Sequence, residues 1–228
     1  VTQKNYPNTN QVGSVVDLSG GDLPKIDLLY GGSPCQSFSR SGDGSGFDGK
    51  SKLFWEFIRV LKEVNPTYFL LENVVMKKEW EDVITKALGV EPIKIDSKLV
   101  SAQKRQRLYW TNIPNIDQPK DKNITLKDII VHTIREEYVD NDLVLKTDKD
   151  GVHVRNATKK GFLIAEDGDS VNLDFPKSKT RRGRVAKGKT NTLNTSCNYG
   201  FVKDKKIYKF NITELERLQT VPDGYTNC

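Results

Sequence analysis

Apolar residues in the first half of the chain form short continuous runs that alternate with helically spaced stretches. The runs at 26–30 and 67–71 end at glycines or polar residues, which indicates two buried strands. Apolar side chains recur at helical spacing over 52–64, and a second helix is predicted over 78–88, ended by Gly89. Strands that alternate with helices predict an α/β fold with βαβ units and a mainly parallel sheet.

Two further strands are predicted over 91–98 and 107–111, and the pattern changes from about residue 115. Short extended pieces, at 152–154, 161–164 and 170–173, then alternate with polar turns, which predicts a smaller, irregular β-rich lobe. Near the end of the chain, a capping box at Thr213–Glu216 predicts a short helix that reaches Gln219.

These patterns divide the chain into an α/β domain over 1–114, a lobe over 115–189, and a segment over 190–228 that returns to the α/β domain. A chain of 228 residues with 36% hydrophobic and 29% charged residues is typical of a globular protein. No run approaches the roughly 20 apolar residues of a membrane helix. The three cysteines are far apart, so we predict neither disulfides nor a metal site, and we expect a cytoplasmic setting.

One segment supplies the positive charge of the chain. The net charge is +6, and residues 177–189 contain seven Lys or Arg residues and no acid, whereas residues 1–176 carry a net charge of −2. Such a run is typical of a surface that binds phosphates. A solvated basic loop is the alternative interpretation.

Two candidate catalytic side chains follow the first two predicted strands. Cys35 lies in the loop Gly31-Gly32-Ser33-Pro34-Cys35-Gln36, and Glu72 closes the second strand. Ligands bind beyond the carboxyl ends of such strands, so we expect both residues on one rim of the sheet. The Gly, Ser and Pro neighbours of Cys35 favour an accessible nucleophile over a buried structural cysteine. Glu72 is expected to carry a proton at neutral pH, with a helix-capping carboxylate as the alternative.

A third element is the pattern Gln103-x-Arg105-x-Arg107. Strand alternation puts these three side chains on one face, where two arginines beside a carboxylate would clamp a carbonyl or an oxyanion. A solvated strand face is the alternative. The Gly- and Ser-rich stretch 37–51 lacks periodicity and is predicted to be a mobile lid.

The order of these motifs resembles the DNA (cytosine-5)-methyltransferase family. Pro-Cys-Gln follows one strand, Glu-Asn-Val follows the next, and Gln-x-Arg-x-Arg comes third. The resemblance covers essentially the whole chain, including 190–196 and 212–225. The chain is similar to phage and bacterial members of the family and, over 46–114, to the animal de novo enzymes. It implies a Rossmann-like, S-adenosyl-methionine-dependent methyltransferase fold, with a target-recognition lobe at 115–189 and a catalytic domain at 1–114.

The resemblance also implies a role for each site residue. Cys35 would attack C6 of a cytosine flipped out of double-stranded DNA, and Glu72 would hold and protonate N3. Arg107 would bind the O2 carbonyl, and Arg105 would orient Glu72 and the thiolate. Further residues would contact the DNA; these are Gln36, Ser37, Ser39, Gln103, Arg181, Arg182, Arg184, Lys187 and Lys189.

The cofactor implied is S-adenosyl-L-methionine, whose adenine would contact Ser14, Val15, Pro34 and Leu53. The family's Gly-rich cofactor loop and its last Asn-containing motif have no counterpart in these residues. We therefore expect the chain to be a fragment that binds the cofactor poorly and is inactive alone.

Two other functions stay open for a chain with these motifs. A tRNA cytosine-5 methyltransferase is one, although the Cys-Phe-Thr tripeptide of that branch is absent. A non-catalytic DNA-binding relative is the other, although such proteins lose the Pro-Cys or the Glu that this chain retains. A restriction partner, an orphan enzyme and a phage self-protection enzyme are all compatible with the sequence.

Overall fold

The computed structural model describes residues 1–36, 38, 45–48, 50–131 and 133–227, and of Lys50 and Ser51 only the backbone. The chain forms two compact units. The first, which we call the α/β unit, contains Asn8–Asp96 and Gln106–Gln118. The second, which we call the β-rich unit, contains Val1–Pro7, Ser97–Arg105 and Pro119–Cys228.

Helices and strands are numbered in chain order. The helices are α1 (Thr2–Asn5), α2 (Phe54–Val64), α3 (Lys78–Leu88), α4 (Leu126–Ile129) and α5 (Ile212–Leu218). The strands are β1 (Leu28–Gly32), β2 (Tyr68–Val74), β3 (Ile93–Asp96), β4 (Gln106–Thr111), β5 (Val144–Asp148), β6 (Gly151–Arg155), β7 (Phe162–Ala165), β8 (Ser170–Asn172), β9 (Val185–Ala186), β10 (Tyr199–Lys203) and β11 (Lys206–Lys209).

The sheet of the α/β unit has the strand order β1-β2-β4-β3. β1 and β2 are parallel, and β4 is antiparallel to both of its neighbours. β1, β2 and β3 therefore share one direction, as βαβ units require, and β4 is inserted in the opposite direction. The segment Ser97–Arg105, which joins β3 to β4, is shorter than the dozen or so residues that a parallel crossover needs. The sheet is therefore mixed. Two of the three pairings among its four strands are antiparallel, so the prediction of a mainly parallel sheet is wrong.

Helices α2 and α3 cover one face of this sheet. Phe54, Phe57 and Ile84 of the helices pack against Leu71 and Trp110 of the strands. The helix predicted at 52–64 begins two residues later than expected, after a short 3-10 turn, whereas the helix predicted at 78–88 has those bounds. Gly89 ends it with a φ of 72°, in the left-handed region that favours glycine.

The opposite face of the sheet is apolar at one end and open. Leu28 and Tyr30 of β1 are 47% and 75% exposed, and Tyr68 of β2 is 42% exposed. Leu28 pairs with Tyr68 in the parallel register, so their side chains share a face. The same alternation along β2 brings Glu72 to this open face.

The β-rich unit contains two further sheets, with strand orders β11-β10-β8-β9 and β5-β6-β7. The extended pieces predicted around 152–154, 161–164 and 170–173 correspond to β6, β7 and β8. One core cluster includes Leu143 and Val154, and a second includes Leu126 and Phe201. The three-part division of the chain stays a prediction.

Helix α5 begins one residue before its predicted capping box. Its N-cap is Asn211, whose side chain accepts a hydrogen bond from the Glu214 amide at 2.9 Å, while the Glu214 carboxylate accepts one from the Asn211 amide at 3.0 Å. The prediction that Thr213–Glu216 forms the box is wrong, because Thr213 lies inside the helix. Asparagine caps a helix at least as well as threonine does.

Glu216 connects α5 to the residues that follow it. The buried Glu216 carboxylate accepts hydrogen bonds from the Thr226 hydroxyl at 2.6 Å, the Thr226 amide at 2.7 Å and the Gly224 amide at 2.6 Å. The Thr226 hydroxyl and amide, followed by the Gly224 amide, lower the pKa of Glu216 below its ordinary value. Ionised Glu216 therefore stabilises the fold above that ordinary value, and its contribution is lost as the pH falls through the lowered pKa.

We expect Glu216→Gln to lower the free energy of unfolding at pH 7, because a neutral amide accepts these bonds more weakly. The difference from wild type should narrow as the pH falls below the ordinary pKa of a glutamate and through the lowered pKa of Glu216, where the wild-type carboxylate takes up a proton. Urea unfolding at several pH values measures this difference. Glu136→Gln, at an exposed position, is the matched control. A difference that does not change with pH would contradict the assignment.

Candidate active site

Cys35 lies in a turn just beyond β1. Its side chain is half-buried, and its carbonyl accepts a hydrogen bond from the Phe38 amide at 3.1 Å. Phe38 is buried and packs edge-on against Phe47, with 4.9 Å between ring centroids, and against Trp80 at 5.6 Å. An aromatic cluster therefore anchors the chain just after the cysteine.

Most of the predicted lid, 37–51, lies outside the described residues, and so do the predicted DNA contacts Ser37 and Ser39. Gln36 is described and is exposed. The lid and the DNA contacts of all three residues stay predictions.

Asn73 holds the nucleophile loop against β2. Its buried side chain donates a hydrogen bond to the Ser33 hydroxyl at 2.9 Å, and its own carbonyl oxygen accepts one from the Val74 amide at 2.8 Å. Ser33 is two residues before Cys35, so this contact fixes the start of the loop. The Glu-Asn-Val motif was noticed in the sequence, but no positioning role was predicted for Asn73.

Glu72 forms an ion pair with Arg107. The Arg107 Nε lies 2.7 Å from the Glu72 Oε1, and the two side chains are 12% and 32% exposed. Glu72 lies inside β2 rather than after it, because β2 continues to Val74, which pairs with Arg107 of β4. This register puts Glu72 and Arg107 on the same face as diagonal neighbours. Such a pair can hold a carboxylate in place and present N–H donors beside it.

Gly32 brings the nucleophile loop beside this carboxylate. Gly32 and Glu72 are partners in the parallel register, and a Cβ on Gly32 would lie 3.1 Å from the Glu72 Oε2. The absence of a side chain at Gly32 therefore leaves room for the carboxylate. The Glu72 carboxylate and the residue three before Cys35 are direct neighbours, as the shared rim predicted.

The predicted common strand face for Gln103, Arg105 and Arg107 is wrong, because β4 begins at Gln106. Gln103 and Arg105 belong to the β-rich unit. Gln103 is buried; its Nε2 donates to the Leu218 carbonyl at 3.0 Å, and its Oε1 accepts from the Leu193 amide at 3.1 Å. A DNA contact by Gln103 would require these bonds to be exchanged. The orienting role of Arg105 stays a prediction.

The predicted adenine contacts all belong to the α/β unit. Ser14 and Val15 form an exposed turn, and the Val15 carbonyl accepts a hydrogen bond from the Arg59 guanidinium at 2.8 Å. Pro34 is half-buried next to Cys35, and Leu53 is half-buried at the start of α2. One hydroxyl and three apolar side chains suit an adenine ring. They include no charged group for a ribose or an amino acid, so they fit only part of the cofactor.

Arg59 and Glu63 fix this turn on α2, and neither was predicted. Arg59 bridges Glu56 and Glu63, each at 2.8 Å, and the Glu63 carboxylate accepts a hydrogen bond from the Gly20 amide at 2.8 Å. The Gly20 amide, more than Arg59, lowers the pKa of Glu63. Spacings of three and four residues along a predicted helix were the available signal for the bridges.

Several cations of the basic segment, 177–189, form hydrogen bonds or ion pairs with other residues of the same chain. Arg184 is buried, and its guanidinium donates to the carbonyls of Asn172, Asp174 and Phe175; burial lowers its pKa. Lys187 pairs with Asp169 at 2.7 Å.

Lys189 donates to three backbone carbonyls, which are those of Lys98, Ser101 and Ile124. Arg181 lies 3.5 Å from Asp174, whereas Arg182 is exposed. The DNA contacts predicted for Arg181, Arg182, Arg184, Lys187 and Lys189 stay predictions. Of these residues, Arg182 and Lys187 are exposed.

Within the described part of the chain, no helix is long and apolar enough to cross a membrane. The same residues contain no group of three or more His, Cys, Asp or Glu side chains that could hold a metal ion.

The α/β unit thus contains a free thiol at Cys35 and a carboxylate–arginine pair on its sheet. Residues 2–88, which include Cys35 and Glu72, match the model of the C-5 cytosine-specific DNA methylase family. These 87 of the 228 residues are similar to that family, and the relatives below support the same C5-methyltransferase class.

Individual relatives agree with the family model. The chain is 28% identical to the Type II methyltransferase M.FnuDI of Fusobacterium nucleatum, over 92% of this chain and 70% of that protein. It is 26% identical to the Type II methyltransferase M.NgoBV of Neisseria gonorrhoeae, over 80% and 53%. It is 38% identical to the orphan methyltransferase M.SPRI of Bacillus phage SPR, over 44% and 26%. The matched part of the chain thus covers about half of M.NgoBV, 70% of M.FnuDI and 26% of M.SPRI.

We expect Asn73→Ala to destabilise the protein by about 1–3 kcal/mol, because it leaves the Ser33 hydroxyl without its buried partner. Urea unfolding measures this loss, with the exposed Asn10→Ala as the matched control. The looser loop should also speed alkylation of Cys35, measured in a background of Cys197→Ser and Cys228→Ser. Unchanged stability and unchanged alkylation together would show that Asn73 does not position the loop.

Proposed function

We propose that the protein transfers a methyl group from S-adenosyl-L-methionine to C5 of a cytosine flipped out of double-stranded DNA. The observation that carries the proposal is the Glu72–Arg107 ion pair beside Gly32, at the base of the loop that holds Cys35. The similarity of residues 2–88 to the C-5 cytosine-specific DNA methylase family supports it. We further propose that the α/β unit is part of a Rossmann-like methyltransferase fold, whose remaining part covers the open face around Tyr30.

C5 of cytosine is a weak nucleophile, and the proposed mechanism activates it covalently. The Cys35 thiolate forms a bond to C6, and a proton passes through the Glu72 carboxyl group to N3, so that the ring gains no negative charge. Arg107, which already contacts Glu72, donates a hydrogen bond to the O2 carbonyl. The product is an enamine, in which C5 is nucleophilic.

S-adenosyl-L-methionine, when bound, supplies an electrophilic methyl group. Ser14, Val15, Pro34 and Leu53 would hold its adenine. After C5 gains the methyl group, loss of the C5 proton to a base returns the electron pair to the ring. The C6–S bond then breaks, the thiolate of Cys35 leaves, and N3 returns its proton to Glu72. The cysteine is regenerated, as a catalyst requires.

The target base lies inside a duplex, so the proposed reaction requires base flipping. The β-rich unit would read the DNA, and the stretch 37–51 would close over the flipped base. These roles follow from the resemblance of the chain to the family and from the sequence of the stretch itself.

The attack by Cys35 can be tested without the cofactor. The enamine can take a proton from water at C5 and lose the original hydrogen, so the chain should release tritium from duplex DNA that contains [5-³H]cytosine. Cys35→Ser should reduce this release to background, because the reaction requires a thiolate. Absence of any Cys35-dependent release would overturn the proposal.

The same assay separates the two other functions. Release from a tRNA transcript and not from duplex DNA would identify the substrate as RNA. Binding of duplex DNA without release would identify a non-catalytic DNA-binding relative. Bisulfite sequencing of DNA from cells that express the protein, compared with its Cys35→Ser variant, then locates any methylated cytosines.

We expect Gly32→Ala to reduce tritium release on the order of 10-fold or more, because the added methyl group displaces the Glu72 carboxylate. Stability should change little, since the carboxylate end of Glu72 is partly exposed. Gly21→Ala is the matched control, as its added Cβ would lie 3.6 Å from the Ser19 hydroxyl, an ordinary contact. Equal release by wild type and Gly32→Ala would contradict the role of this glycine.

A further inference from the structure

We propose that a cleft in the β-rich unit binds the phosphodiester backbone of duplex DNA through Lys159, Lys179 and Arg182. This inference rests on the proposed function, because it names the surface by which the enzyme would hold its substrate. The cleft has a volume of about 760 Å³. Its lining residues are Ala157, Thr158, Lys159, Lys179, Thr180 and Arg182.

The cations of this cleft are available to a ligand. Lys159, Lys179 and Arg182 are exposed, and none of them forms an ion pair with any residue that the structure describes. The lining contains no carboxylate, and two threonine hydroxyls lie among the cations. Three cations without ion-pair partners among the described residues, along one open cleft, suit the oxygens of successive phosphates.

The sequence located this positive charge only in part. Arg184, Lys187 and Lys189 form internal hydrogen bonds and ion pairs, so part of the charge of 177–189 is already neutralised or buried. Lys159 lies outside that segment and was not predicted to contact DNA. The cleft therefore shares Lys179 and Arg182 with that segment and adds Lys159 from outside it.

Two loops form the walls of the cleft, and hydrogen bonds connect them. The β6–β7 turn contributes the Ala157 amide, which donates to the Arg181 carbonyl of the β8–β9 loop at 2.8 Å. The Arg184 amide donates to the Asn156 side chain at 3.3 Å, and the buried Arg184 guanidinium binds carbonyls along the β8–β9 loop. An ordered backbone thus carries the cations, which lowers the entropy lost on binding.

A neighbouring aromatic side chain favours a nucleic acid over a small anion. Phe175, in the β8–β9 loop, is 71% exposed, with Arg181 lying over its ring at 5.4 Å. Its φ of 50° is in the left-handed region, which costs energy for a residue other than glycine. An exposed aromatic ring with an arginine over its face offers stacking as well as charge, which a nucleotide can use and a small anion cannot.

The test measures binding of a fluorescently labelled DNA duplex to the full chain by anisotropy, from about 50 to about 200 mM salt. The cleft variant combines Lys159→Ala, Lys179→Ala and Arg182→Ala. Its slope of log K against log salt should be smaller by about 2–3, and Kd should rise on the order of 10-fold or more. The matched control, which removes the same charge from exposed positions elsewhere, combines Lys62→Ala, Lys86→Ala and Lys120→Ala.

If the cleft variant bound duplex DNA with the Kd and the salt slope of the wild type, the proposed cleft would be wrong. The proposed function would still stand. An equal loss in the control variant would also overturn the cleft, because net charge alone would then explain the effect. If the cleft variant lost affinity for an RNA duplex and not for DNA, the assigned ligand would be wrong. If the wild type did not bind duplex DNA, the proposed function itself would fail.

Circular dichroism and urea unfolding confirm that each variant is folded. The more conservative combination of Lys159→Gln, Lys179→Gln and Arg182→Gln repeats the test if the alanine variant is destabilised. A smaller salt slope in the glutamine variant supports the cleft, and a wild-type slope overturns it.

Discussion

The ion pair between Glu72 and Arg107 depends on β4 lying antiparallel beside β2. The register that pairs Val74 with Arg107 puts the arginine diagonal to the carboxylate and on its face of the sheet. Because side chains alternate along a strand, a shift of one residue in this register would move Arg107 to the face that α2 and α3 cover. The chemistry of the site is thus decided by backbone hydrogen bonds between strands that are distant in sequence.

Strand β2 contributes functional side chains to both faces of the sheet. Glu72 is on the open face, and Asn73, the next residue, points to the covered face and holds Ser33. The same strand therefore positions the carboxylate and the loop that carries Cys35. Gly32 completes the arrangement, since any larger residue would compete with the carboxylate for space. The carboxylate lies on β2, and the loop that carries the thiol begins where β1 ends, so the parallel pairing of β1 with β2 brings the two segments together.

Local pattern was sufficient for most elements of the α/β unit and insufficient for their arrangement. The helix at 78–88 and the strands that flank it were predictable, because apolar runs, helical spacing and a terminal glycine all indicate the same elements. The face shared by Gln103, Arg105 and Arg107 was not, because alternation applies only within a strand and β4 begins at Gln106. Which residue caps α5 was also ambiguous, as Asn211 and Thr213 are both polar residues near its start.

A charge count is a property of the sequence, whereas an available charge is a property of the fold. Residues 177–189 look uniformly basic, yet the fold places the Arg184 guanidinium among carbonyls in the protein interior. A buried guanidinium needs such acceptors, because an unpaired charge in the interior is costly. Arg184 therefore orders the loop, and exposed neighbours such as Arg182 keep their charge for a ligand. Lys159, 23 positions before Arg182, adds to that charge because the β6–β7 turn lies against the same loop.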